Sequence, residues 1–219
     1  MEINVPKLLT FFDERPAGSK GHATGIVAFM GEDLAFGLLI RYLREHWDPS
    51  TERLHGPCTT GQRKGPRLDG WIRTHRDGAG LLLQVEVKNW SAHAIGGEVL
   101  PRNADPQTVQ NYKLKRWKEQ WNDDDSTFKN DGVRKVLKPM RRPPGYERWP
   151  VEPAVCFWYA IHRMGGDEPL FSVPVHESEF DQVWVFSMSS YLRSLSQTRI
   201  DIEMPNVEAR LDWIRQFLR

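Results

Sequence analysis

The stretch Gly65–Trp90, GPRLDGWIRTHRDGAGLLLQVEVKNW, decides how the rest of the chain is read. Arg67–Thr74 and Gly80–Trp90 have the composition of two strands, and Asp77-Gly78-Ala79-Gly80 between them is a turn, so the stretch predicts a hairpin. Along the second strand Leu81, Leu83, Val85 and Val87 point one way, and Leu82, Gln84, Glu86 and Lys88 the other. The run is almost continuously apolar up to Glu86, which suits a central strand rather than an edge. Charged groups in such a strand need partners, because a bare buried charge is costly.

Working outward, Gly31–Trp47 carries a helical stripe of Leu34, Leu38 and Tyr42, widened by Phe36, Leu39, Ile40 and Leu43, and Asp48-Pro49 ends it. Pro57–Pro66, rich in Gly, Thr and basic residues, reads as a short strand and a loop. Downstream, Ser91–Pro106 is loop-like, Gln107–Trp121 is a helix, and Asn122–Asp125 closes it. Ser126–Trp149, with Pro143-Pro144-Gly145 and many cations, reads as a basic insertion at 126–149 or a long surface excursion. Pro153–His162 and Gln182–Ser187 are strands, Ser189–Ser196 is a short helix, and Asn206–Leu218 is an amphipathic helix capped by Asn206 with Val207, Leu211, Ile214 and Leu218 on one face. The order predicts an α/β fold, a mixed central sheet flanked by helices.

The 219 residues suit one domain, 1–219, large enough to bury a core without metal or disulfide staples. A net charge of +1 excludes a strongly basic coat protein, so nucleic acid would have to meet local patches. Cys58 and Cys156 show neither a disulfide framework nor zinc spacing. Met1–Phe12 lacks the basic start and long apolar run of a signal peptide, and no stretch is long enough to span a membrane. The expectation is a soluble protein of the reducing cytoplasm.

Glu86-Val87-Lys88 carries the chemistry. Residues two apart on a strand share a face about 6.6 Å apart, which sets a carboxylate beside an ammonium on a rigid floor. Phosphodiester hydrolysis asks for a cation on the phosphate, a positioned water and a stabilised leaving oxygen. Glu86 can hold a hard cation, and the Val87 carbonyl can add an oxygen. Lys88 can orient the water and help it lose a proton, or steady the transition state. Asp69 lies 17 residues before Glu86, and the turn folds it back toward that strand. A divalent cation relieves the repulsion between two such carboxylates.

Pro66-Arg67-Leu68-Asp69 and Glu86-Val87-Lys88 resemble the PD-(D/E)xK nuclease superfamily and its restriction-endonuclease-like core. The Pro-Asp pair is split here by Arg67-Leu68. Gln107 and Gln110 precede Tyr112 at intervals that do not give the Gln-x-x-x-Tyr signature of one exonuclease-like subgroup. The resemblance implies Mg²⁺, with Mn²⁺ substituting, held by Asp69 and Glu86. It also implies Lys88 assisting the nucleophile and Glu32, at the head of the Gly31–Trp47 helix, supporting the metal through water. The implied substrate is DNA, the implied activity an endonuclease of restriction, phage defence or repair. The implied partners are a targeting protein or a second copy of the chain.

Lys129, Arg134, Lys135, Lys138, Arg141 and Arg142 fall within fourteen residues opposed by Asp131 alone, a candidate contact to phosphates. Lys113 and Arg116 lie on a helix whose Leu114, Trp117 and Trp121 share a stripe better suited to packing than to stacking bases, which leaves the two cations as candidate nucleic-acid contacts. His93 follows the Glu86 strand. No HxH or HExxH spacing and no phosphate-binding Gly-Lys loop is present, so neither a zinc hydrolase nor an ATP motor is encoded. The alternatives are a catalytically silent nucleic-acid-binding or assembly subunit with the same fold, and a Trp-rich interaction protein.

Overall fold

Asp77 and Gly78 both take positive φ, 52° and 79°, and Arg76 sits opposite Ala79. That is a two-residue turn of the type whose twist matches a hairpin, tighter than the four-residue turn expected. In this computed structural model, which describes residues 1–13, 20–88, 104–122, 127–162, 168–176 and 178–218, the hairpin lies inside a six-stranded mixed sheet.

The chain begins with β1 (Glu2–Asn4), α1 (Val5–Asp13) and the long α2 (Lys20–His46). Short strands β2 (Glu52–Leu54), β3 (Cys58–Thr59) and β4 (Arg67–Leu68) precede the hairpin strands β5 (Gly70–Arg76) and β6 (Ala79–Lys88). Then come α3 (Pro106–Gln120), α4 (Asp131–Arg134) with a 3-10 turn at Lys135–Leu137, β7 (Val151–Phe157), β8 (Leu170–Pro174) and β9 (Gln182–Ser187). The chain closes with α5 (Met188–Ser194), β10 (Arg199–Asp201) and α6 (Pro205–Phe217). The sheet order is β2-β5-β6-β7-β9-β8, with β2, β5 and β6 antiparallel, β7 and β9 joining β6 in parallel, and β8 antiparallel at the far edge. β6 is therefore central, as its apolar run requires.

The alternation of β6 sorts its side chains between two cores. Leu81, Leu83 and Val85 pack with Leu34, Leu38, Leu39 and Leu43 of α2. Leu82 joins Val155, Phe157, Trp117, Trp121, Phe128, Val133, Val136 and Met140 on the other side. Residues 127–149 are thus not a surface excursion. Phe128, Val133, Val136 and Met140 are buried, and the segment covers the second face of the sheet. Its cations and prolines hide an apolar set spaced too irregularly to show a helical or strand period.

Other expectations shift. α2 starts before Gly31, and β7 ends at Phe157. Beyond it the Trp158 carbonyl accepts the Ser189 N–H at 2.8 Å, and the Ala160 N–H donates to Ser187 Oγ at 3.1 Å. Gly37 lets α2 approach the segment after β10, since a Cβ there would stand 2.9 Å from the Glu203 carbonyl oxygen. Asn206 does not cap α6. Asp33, from α2, accepts the Asn206 and Val207 N–H groups at 2.6 and 3.0 Å and the Asn206 amide at 2.7 Å. Along α6, Val207 is buried and Leu211 is partly buried against the core, but Ile214 and the following Leu218 are exposed, so the expected apolar face is covered over its first half. Trp90, His93 and the part of the Ser91–Pro106 loop before residue 104 lie outside the described residues. Among the described residues no helix is long and apolar enough to cross a membrane.

Candidate active site

The site forms where two ladders part. Arg67 and Leu68 pair with Thr59 and Cys58, whereas the pairing of β5 with β6 begins only at Gly70 opposite Val85. Asp69 stands between. Its N–H donates to the Val85 carbonyl at 3.0 Å, and its Oδ2 accepts the Val87 N–H at 2.6 Å. A side-chain carboxylate thus replaces the backbone acceptor that a longer β5 would supply. The N–H and C=O of one strand residue face the same neighbour, so the Val87 carbonyl also opens toward the Asp69 edge.

Glu86, one residue back and on the other face, is 1% exposed. Lys88 Nζ lies 2.5 Å from its Oε1, and Lys135 Nζ lies 3.0 Å from its Oε2. The Oε2 contact has ion-pair distance without well-directed hydrogen-bond geometry. Burial pushes the Glu86 carboxyl above its ordinary range. The Lys88 hydrogen bond opposes that shift, the Asp69 charge adds to it, and Lys135 opposes it. Lys135 also donates to the Arg67 carbonyl at 2.7 Å, which fastens the segment after α4 to the strand leading into Asp69.

Gln84 explains how Lys135 arrives there. It is fully buried, two residues before Glu86 on the same face. Its Nε2 donates to the carbonyls of Val136 at 2.6 Å and Lys138 at 2.9 Å, and its Oε1 accepts the Met140 N–H at 3.2 Å. Every polar function of the amide is committed to one stretch of backbone. Cys58 and Cys156 lie beside the site, opposite Leu68 and Val87 respectively. Both thiols are buried and pushed far up, first by burial and then by the Asp69 and Glu86 charges.

The structure brings Asp69, Glu86, Val87 and Lys88 together. Glu32 does not join them. Its Oε1 is held by Arg53 Nη2 at 2.5 Å, and Arg53 also pairs with the buried Asp33 at 3.0 Å and lies over the Phe36 ring. Lys135, expected at a phosphate surface, is instead part of the carboxylate cluster. Arg116 is a further correction: its side chain is 4% exposed, paired with Glu119 at 3.0 Å and set over Tyr112. It belongs to the packed side of α3 with Trp117, and Lys113 is half-buried on the same helix. Arg134 pairs with Asp131, and Arg142 Nε donates to the Trp149 carbonyl at 2.9 Å. Lys138 and Arg141 are exposed.

Sequence reasoning missed the other half of this rim. The Arg141 N–H donates to the Thr59 carbonyl at 2.7 Å, so the loop after β3 lies alongside the segment after α4. That loop carries the exposed Arg63 and Lys64, and the exposed Arg67 follows it in β4. The signal was the basic composition of Pro57–Pro66; what it lacked was a reason to place that loop beside residues 135–142.

Two carboxylates and a backbone carbonyl are the hard oxygen donors that Mg²⁺ accepts, with water and phosphate completing its shell. Glu86 Oε2, buried and without a directed hydrogen bond, fits such a role. The donors fit in kind. Among the described residues, however, no group of three or more His, Cys, Asp and Glu side chains is gathered to hold an ion. No protein-family model matches the chain, and a search of the curated proteins finds no match.

Proposed function

We propose that this chain is a metal-dependent nuclease with a restriction-endonuclease-like core, hydrolysing phosphodiester bonds of DNA. One observation carries the proposal: the Asp69 carboxylate is bound to the Val87 N–H at 2.6 Å, inside the Glu86-Val87-Lys88 segment itself. An Asp placed by chance 17 residues upstream has no need to land there.

Asp69, Glu86 and the Val87 carbonyl hold Mg²⁺ or Mn²⁺. The cation, when bound, polarises the phosphate and neutralises developing charge. Lys88, seated against Glu86 Oε1 at 2.5 Å, keeps its ammonium at the mouth of the site, where its N–H groups orient water toward phosphorus and stabilise negative charge on that water's oxygen. Its side chain is 22% exposed against 1% for Glu86, so the ammonium is the more accessible of the two to substrate. The rim of Arg63, Lys64, Arg67, Lys138 and Arg141 supplies phosphate contacts. Arg116 and Glu32 are given no part in catalysis. Dimerisation or a targeting protein would supply the second site or the recognition that such a rim alone does not provide.

The test is cleavage of supercoiled plasmid with Mg²⁺ or Mn²⁺ by wild type and by Lys88→Ala prepared identically. Wild type should cut, EDTA should stop it, and the variant should lose about 10²–10⁴-fold in rate. Equal cutting by both proteins would refute the role of Lys88. Silence of both on plasmid, single-stranded DNA and RNA would favour a catalytically silent nucleic-acid-binding subunit.

A further inference from the structure

We propose that Lys135 is the resident counter-cation of Glu86, occupying the carboxylate oxygen a metal would take and so holding the metal affinity of the DNA-free protein low. This goes beyond the role of residues 134–142 as phosphate contacts, and it rests on the metal-site reading of Asp69 and Glu86.

The contact is built rather than incidental. Glu86 is 1% exposed, and its two oxygens face two separate ammonium groups, Lys88 at 2.5 Å and Lys135 at 3.0 Å. Lys88 comes with the strand. Lys135 comes from 49 residues further along the sequence and is seated by two independent devices. Its Nζ donates to the Arg67 carbonyl at 2.7 Å, and the backbone just after it is clamped by all three hydrogen bonds of the buried Gln84. A flexible surface lysine meeting a carboxylate by chance would have neither.

The electrostatics follow from the partners. Beside Asp69, Glu86 already faces two ammoniums. A dication entering beside them meets the attraction of the carboxylates and the repulsion of Lys88 and Lys135 at short range and low dielectric, where each charge counts for much more than in water. Binding is favoured once Lys135 leaves Oε2, and an incoming phosphate is the natural acceptor for an ammonium so released. Metal loading and phosphate binding then assist one another. Lys135 is a positioning residue, since what it touches is Glu86.

The test is calorimetric titration of Mn²⁺ into the DNA-free full chain, comparing wild type with Lys135→Met and with Lys135→Gln, which keeps a donor for the Arg67 carbonyl. Both variants should bind Mn²⁺ about tenfold more tightly than wild type. Wild type should bind weakly but measurably. Unchanged or weaker binding in a folded variant, with wild type binding, overturns the assignment of Lys135 and leaves the metal site standing. No binding by any of the three overturns the metal-site reading, and the role of Lys135 with it. A second measurement needs no variant: the rate of reductive methylation of the Lys135 amine in wild type, followed by mass spectrometry. Saturating Mn²⁺ should raise that rate, and an unchanged rate would refute displacement.

Discussion

Replacing Gln84 with Met removes three hydrogen bonds while nearly keeping the volume of the side chain, so it isolates the clamp from the packing. The Val136 carbonyl and the Met140 N–H are buried in these contacts and would be left without partners, and the Lys138 carbonyl is partly so. A buried polar group deprived of its partner costs about 1–3 kcal/mol, and local relaxation to water recovers part of that, so the net loss is about 3 kcal/mol. At about 2–4 °C per kcal/mol for a chain of this length, the unfolding midpoint should fall by about 6–12 °C. The loss should also be local. With the clamp gone, the bonds after Lys135 and Arg141 should open to trypsin at temperatures where the sheet stays folded. Scanning calorimetry gives the first quantity, and mass mapping of early tryptic fragments gives the second. An unchanged midpoint with an unchanged digestion pattern would refute the view that Gln84 positions this segment. A fallen midpoint without new early cuts would refute its locality.

Asp33→Ala should cost about 2 kcal/mol in thermal unfolding, because it removes the acceptor at the start of α6 and one of the two carboxylates that pair with Arg53. Asp48 is held down to about 2 by the Ser50 backbone N–H first, then by His75 and the Ser50 hydroxyl. Its folded value is depressed, so the stability it contributes is present above the ordinary carboxylate value near 3.8 and disappears as pH falls through about 2. Acid titration of the midpoint should therefore be flatter over that window in Asp48→Asn than in wild type. Lys138→Ala and Arg141→Ala should each weaken DNA binding and lower the slope of log affinity against log salt by about one, whereas Arg116→Ala should destabilise the fold and leave that slope alone. Filter binding over a range of salt concentrations separates the two behaviours.

How much of this was legible in the sequence depended on whether a local period carried the information. The β5–β6 hairpin, the two-faced alternation of β6 and the trio Asp69, Glu86 and Lys88 were all visible, because strand periodicity and turn chemistry are written within a few residues. β2, β8 and β10 were not, being three to five residues long and made strands by their neighbours. The buried part of residues 127–149 was hidden for a different reason. Their backbone answers to Gln84, more than forty residues away, and their apolar side chains to the second core, while the local composition is basic and proline-rich. Glu32 and Asp33 show the same limit. Adjacent carboxylates at the head of a helix looked alike, and only the arrival of Arg53 and α6 gave one to a surface pair and the other to a buried cap.

The two cysteines turn the site into its own recorder. Cys58 sits in the short β3–β4 pair at the edge of the cluster, and Cys156 in the central β7 against Val87. Thiols held protonated and covered react with alkylating agents only when the protein around them opens. Cys58 should then be labelled by the small excursions that part β3 from β4, and Cys156 only by those that split the sheet. The ratio of the two rates is a clock on how the carboxylate cluster comes apart, readable without any introduced probe.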